Sequence, residues 1–170
     1  EVEKCKMKKI FFILSSIILL VFPFFSNSSV EAAGASLYLA PQTGTFTAGN
    51  TFDVSIFLNT GGENVVAVNL NLKFDPEKLR VITPTKGLSA VGEWVFPPSF
   101  SNSTGEIFLQ GGFPAGGINT SEGLISQIVF EAIASGKTEI NFLDASQVLA
   151  GKEGLNILTS VNRGVYDIIL

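Results

Sequence analysis

Past residue 35, apolar and polar positions alternate in short runs rather than in helical turns. The clearest run sets Val66, Val68, Leu70, Leu72 and Phe74 against Ala67, Asn69, Asn71 and Lys73. A period of two puts the first set in a core and the second on an outer sheet face. Asp75-Pro76 ends the run, because proline cannot donate to a sheet ladder. Thr51 to Leu58 alternates likewise, with Phe52, Val54, Ile56 and Leu58 on one face. Further strands are predicted over 36–40, 79–82, 106–110, 124–133, 138–143, 146–150, 156–158 and 164–169. Residues 43–50 read as a polar turn, 84–104 as an irregular aromatic-rich connection, and 111–123 as a glycine-rich loop. No segment holds a 3.6-residue apolar period for more than about ten residues, so helices are not expected. Many short strands separated by Gly, Asn, Asp, Pro and Ser predict an all-β sandwich or barrel.

The N-terminus is different in kind. Lys8 and Lys9 precede an apolar run from Ile10 to Phe22, which Pro23 interrupts. A cationic start, a short apolar core and small residues at Val30-Glu31-Ala32 or Ala33-Gly34-Ala35 form the pattern of a secretory signal peptide. The alternative is an uncleaved anchor, but the run is shorter than the ~20 residues of a spanning helix. Met7 reads as a start, with Glu1 to Lys6 upstream of it. The expected organisation is therefore an upstream extension plus signal peptide over 1–33 and one β-sandwich domain over 34–170. Any contact with a membrane is expected only through the signal segment, and the location is secreted or cell-surface.

Composition narrows the chemistry. The chain has 11 basic and 15 acidic residues, a net charge of −4. Removal of residues 1–32 leaves 7 basic and 12 acidic residues, a net −5. An acidic domain repels phosphate backbones, which argues against nucleic-acid partners. Cys5 is the single cysteine and precedes the apolar run, so the domain has no disulfide and no thiolate metal site. Histidine is absent, which removes Ser-His-Asp and Cys-His catalysis and most zinc sites. The carboxylates scatter over turns and strand edges, whereas a glycosidase needs a facing pair. The glycines of 111–117 lack the Lys-Ser/Thr of a phosphate loop. Asp-x-Asp-x-Asp calcium loops are also lacking, although an ion held by backbone carbonyls at a sandwich edge would leave no signature. No enzyme, cofactor or metal is expected. Asn102-Ser103-Thr104 and Asn119-Thr120-Ser121 match glycosylation sequons and read as turn residues.

Several segments, taken in order, resemble the cohesin family. Thr47-Ala48-Gly49-Asn50-Thr51-Phe52-Asp53-Val54 is similar to its opening glycine turn and second strand. Val65 to Leu79, containing Phe74-Asp75-Pro76-Glu77-Lys78-Leu79, resembles its hallmark strand ending in Tyr/Phe-Asp-Pro-x-x-Leu. Gly105 to Leu109 resembles a glycine-led middle strand. Gly123 to Ala132 with Ser135-Gly136 resembles a long strand and its turn, and Asp144 to Ala150 the stretch before the last strands. The resemblance covers about residues 36–168. It implies a jelly-roll β-sandwich of about nine strands and binding of dockerins, small calcium-loaded helical modules. It also implies a partner face on the outer side of the hallmark strand, with Asn69, Asn71 and Lys73, and Asn69 where many cohesins place an Asp or Asn. Gln127 and Glu131 are expected on the same sheet.

Two other readings stand beside dockerin-type or other surface-protein binding. A carbohydrate-binding module would bind polysaccharide through an aromatic platform, for which Trp94, Phe96 and Phe100 are the candidates. A surface-protein spacer would have no ligand. Exposure of Trp94 favours the platform; a flat polar face around Asn69 and Asn71 with exposed apolar neighbours favours protein binding.

Overall fold

The computed structural model describes residues 34–170, and the expected signal segment lies outside them. The described chain is all β. Thirteen strands follow one another as β1 (Ala35–Ala40), β2 (Thr43–Thr47), β3 (Thr51–Asn59), β4 (Val65–Phe74), β5 (Leu79–Thr83), β6 (Glu93–Ser101), β7 (Glu106–Gly112), β8 (Gly123–Ala132), β9 (Gly136–Phe142), β10 (Gln147–Ala150), β11 (Leu155–Asn156), β12 (Leu158–Asn162) and β13 (Gly164–Ile169). No helix among the described residues is long and apolar enough to cross a membrane.

The strands form two sheets packed as a sandwich. The five-stranded sheet runs β12-β1-β3-β8-β5. In the eight-stranded sheet, β4 is the hub. β7 pairs along one edge of β4 from Ala67 to Lys73, and β6 lies beyond β7. The other edge of β4 is shared: β10 pairs with Val65–Asn69 and β9 with Leu72–Phe74. β13 and β2 continue outward from β9.

Alternation places the core as the sequence predicts along most of β3 and β4. Leu70, Leu72 and Phe74 are buried on β4, and Phe52, Val54, Ile56 and Leu58 on β3. Val66 is the exception: Val65 is buried in its place, while Val66 stays partly exposed. A bulge in the β10 pairing, where Leu149 faces Ala67 but Ala150 faces Val65, explains the switch. Phe130 of β8 anchors the centre, lying 5.9 Å from Phe52 and edge-on to Phe74 at 5.6 Å.

Two segments expected to be irregular are strands. Thr43–Thr47 forms β2, which pairs in parallel with β13 on a sheet edge. Its Phe46 stacks on Phe52 at 3.8 Å, and this inward ring fixes the strand's face. Glu93–Ser101 forms β6 despite Pro97 and Pro98. A sheet edge tolerates proline, since the missing N–H would point to solvent. The count of thirteen rather than nine arises from these two and from the short strands near the C-terminus.

Two of the crossings between the sheets, β1 to β2 and β12 to β13, lie side by side. β1 and β12 are parallel neighbours in one sheet, β13 and β2 in the other. The buried Tyr166 hydroxyl donates to the Pro41 carbonyl at 2.8 Å and ties these crossings together. Burial pushes its phenol well above the ordinary tyrosine range.

Three local devices hold the frame. Asp75 accepts from the Glu77 N–H at 2.9 Å and from Lys78 Nζ at 2.7 Å, closing the turn after β4. The Lys78 ammonium and then the Glu77 amide hold the Asp75 carboxyl below its usual range. A lowered carboxyl stabilises the fold above its unfolded value of 3.8 and loses that contribution as pH falls through its folded value. Asp75→Asn is therefore expected to cost about 1 kcal/mol at neutral pH and much less at pH 2, measured by urea unfolding at both.

Asn102 supplies the second device. Its side chain accepts from the Val81 N–H at 2.8 Å and donates to the Val81 carbonyl at 3.0 Å. An amide thereby pairs the backbone of β5 as a neighbouring strand would. The third device is Asn119, which accepts from the Thr60 hydroxyl at 3.1 Å and donates to the Gly62 carbonyl. Both sequon asparagines are thus structural, Asn102 in a turn and Asn119 in the irregular segment after the bridged Ile118.

One buried group is out of keeping with its surroundings. The Thr138 side chain is 4 % exposed, and its hydroxyl has no hydrogen-bond partner among the described residues. Valine keeps the shape and β-branching without the polar atom. Thr138→Val is expected to raise stability by about 1 kcal/mol, visible as a higher denaturation midpoint at unchanged m-value.

Candidate partner-binding face

The outer side of the eight-stranded sheet is laid out by strand register, since directly opposed residues share a face. One row crosses four strands: Gln147 on β10, Asn69 on β4, Gln110 on β7 and Phe96 on β6. The next row holds Asn71, Phe108 and Ser99, and a third holds Lys73, Glu106 and Ser101. On the other side of the first row lie Leu149, Ala67, Gly112 and Glu93.

Side chains on this face fall into two groups. Asn71 and Lys73 serve the frame. The Asn71 amide donates to the Ala145 carbonyl at 3.3 Å, and its backbone is bridged by the Ser146 hydroxyl. Lys73 lies 3.4 Å from Glu106 and donates to the Thr104 carbonyl, so it secures the turn between β6 and β7. Asn69, Gln110 and Gln147 make no side-chain hydrogen bonds among the described residues, and Gln110 and Gln147 are exposed. Their amides offer both donors and acceptors to an incoming surface.

Two phenylalanines stand out of this polar field: Phe96 is 65 % exposed and Phe108 44 % exposed. β7 alternates strictly, with Ile107 and Leu109 inward, so Phe108 must point outward. Phe96 reaches the same face because β6 carries an irregularity on either side of it, between Trp94 and Phe96 and between Phe96 and Ser99.

The sequence-predicted residues divide accordingly. Asn69, Asn71 and Lys73 lie together on the outer face of β4. Gln127 and Glu131 do not join them, because β8 belongs to the five-stranded sheet on the opposite side of the sandwich. There Gln127 donates to Asp53 and Glu131 pairs with Arg80. Two-residue periodicity shows that a side chain faces outward but not which sheet it faces outward from.

The aromatic platform of the alternative reading is not assembled. Trp94 is paired with Gly111 on the inward side and packs against the core. A Cβ at Gly111 would meet the Val91 side chain and lie 3.1 Å from the Trp94 ring, so the missing side chain makes room for the indole. Phe100 pairs with buried Ile107, and Phe96 with outward Gln110. The three rings thus alternate across β6 instead of presenting one surface. Phe108, Gln110 and Gln147 are further members of the face. A phenylalanine out of phase with its inward neighbours in β7 was the available signal for the first.

No family model matches the chain, and no curated protein matches it. Solved structures do match. The third cohesin of ScaC from Acetivibrio cellulolyticus, solved in complex with the ScaB dockerin, is 18% identical, with a TM-score of 0.63 over 80% of this chain and 99% of that one. The OlpA cohesin from Clostridium thermocellum, solved in complex with the dockerin Doc918, is 16% identical, with a TM-score of 0.64 over 80% of this chain and 99% of that one. A type II cohesin domain from the cellulosome of Acetivibrio cellulolyticus is 14% identical, with a TM-score of 0.61 over 78% of this chain and 95% of that one. At such identities the likeness is one of fold, and the fold of residues 34–170 is a cohesin-like β-sandwich.

Proposed function

We propose that the protein is a non-catalytic, exported binding module whose eight-stranded sheet engages a dockerin-type partner through its outer face. The observation that carries this reading is the placement of exposed Phe96 and Phe108 among the uncommitted amides of Asn69, Gln110 and Gln147. Exposed aromatics amid neutral hydrogen-bonding groups have the composition of an interface core. The cohesin-like fold supports the choice of partner, since several of its structural neighbours were solved with dockerins bound. Export rests on the signal-peptide pattern before residue 34.

The test is capture of a dockerin panel by the protein, with insoluble polysaccharides assayed in parallel. Asn69→Ala is expected to weaken dockerin capture about ten-fold or more while leaving the fold intact. Capture unchanged in Asn69→Ala would move the site off this face. Retention on polysaccharide without dockerin capture would replace the proposal with the carbohydrate-binding reading.

A further inference from the structure

We propose that the five-stranded sheet carries a second recognition site, for an arginine or lysine side chain borne on an apolar segment of another protein. Register builds the site: Asn162 of β12, Tyr38 of β1, Phe57 of β3 and Leu124 of β8 are opposed in one row. The Tyr38 and Phe57 rings stack at 5.4 Å and 16°. The Leu124 carbonyl accepts from the Ala90 N–H at 2.7 Å, which draws in the loop carrying Leu88. Leu88 is 89 % exposed. An open groove of about 470 Å³ is lined by Leu88, Ala90, Ile118, Glu122 and Leu124, among others.

Charge selects the occupant. The other two acids of this face are already neutralised, Asp53 by Lys86 at 3.2 Å and Glu131 by Arg80. Glu122 is exposed and forms no ion pair among the described residues. Glu122 lines the groove together with Leu124, the neighbour of Phe57 in the row, and partial burial and then the Glu122 carboxylate push the Tyr38 phenol up. A carboxylate beside aromatic rings attracts a cation, while the leucines and Ile118 receive its aliphatic stem. An anionic partner is repelled, and a purely apolar one would bury the Glu122 charge unpaired. The chain's net charge of −4 also draws basic partners. The site lies on the opposite side of the sandwich from Phe96 and Phe108 and does not rest on the dockerin reading.

The experiment is an NMR titration of the ¹⁵N-labelled protein with Ac-Leu-Arg-Leu-Arg-amide, using Ac-Leu-Glu-Leu-Glu-amide as control. The arginine peptide is expected to shift Tyr38, Phe57, Glu122 and Leu124 saturably, and the glutamate peptide to leave them in place. Glu122→Gln should weaken the arginine peptide about five-fold at low salt, with the loss shrinking as salt rises. Glu122→Lys, also at an exposed position, should abolish its binding. Shifts confined to the Phe96 and Phe108 face, no saturable shifts at millimolar peptide, or indifference to both Glu122 variants would overturn the proposal.

Discussion

Phe130→Ala is expected to lower the unfolding free energy by about 3–5 kcal/mol, a large share of the roughly 5–15 kcal/mol available to a domain. Phe130 is fully buried near the C-terminal end of β8 and lies against Phe52 from its own sheet and Phe74 from the other. Truncation would remove the ring that joins the two inner faces, and the flanking strands, fixed by ladders on both sides of β8, cannot close the gap. With neither disulfide nor metal site expected, burial has to carry the stability. The midpoint of thermal unfolding should fall by about 10–20 °C. Phe130→Leu, which retains most of the apolar volume, should recover more than half of the loss. A loss below about 1 kcal/mol on Phe130→Ala would contradict the packing described for this core.

How much of this fold is legible in the sequence depends on where each strand lies. β3 and β4 are half-buried strands with one wet face, so two-residue alternation names their core residues almost completely. β2 is harder. Thr43-Gly44-Thr45-Phe46-Thr47 contains one large apolar residue, and its strand character comes from pairing with β13, more than a hundred residues away. β6 is obscured by Pro97 and Pro98, which argue against a central strand but not against an edge. Val66 fails for a third reason: the bulge that turns it outward is a property of its pairing with β10.

The candidate face follows the same rule. Asn69, Asn71 and Lys73 were visible because they share one strand with an unambiguous period. Which sheet Gln127 and Glu131 belong to was not visible, because sheet membership is a long-range fact. Trp94 was ambiguous for a related reason: its burial depends on a side chain missing at Gly111, across a strand pair. Hydrogen-bonding roles also had to come from the structure. Asn71 and Lys73 look like free surface groups in sequence, yet both secure neighbouring turns, which leaves Asn69 and its glutamine neighbours as the uncommitted amides.

This division makes the contrast between the two faces the sharpest test of the proposed interface. Phe108→Ala is expected to weaken dockerin-type binding by at least 2 kcal/mol, about 30-fold in Kd. Phe108 is held at the centre of the face, between Asn71 on β4 and Ser99 on β6. Its backbone is fixed by ladders on both sides, so the ring reaches a partner with little entropy left to lose. Phe96, on the edge strand, should contribute less, at about 1 kcal/mol. The side chains concerned are exposed, so both truncations should leave thermal stability within about 0.5 kcal/mol of the parent. Gln127→Ala and Glu131→Ala, on the other sheet, should leave Kd unchanged. A partner that tolerated Phe108→Ala but was lost on Gln127→Ala would instead dock on the five-stranded sheet, because no single flat partner can touch Phe108 and Gln127 across the sandwich.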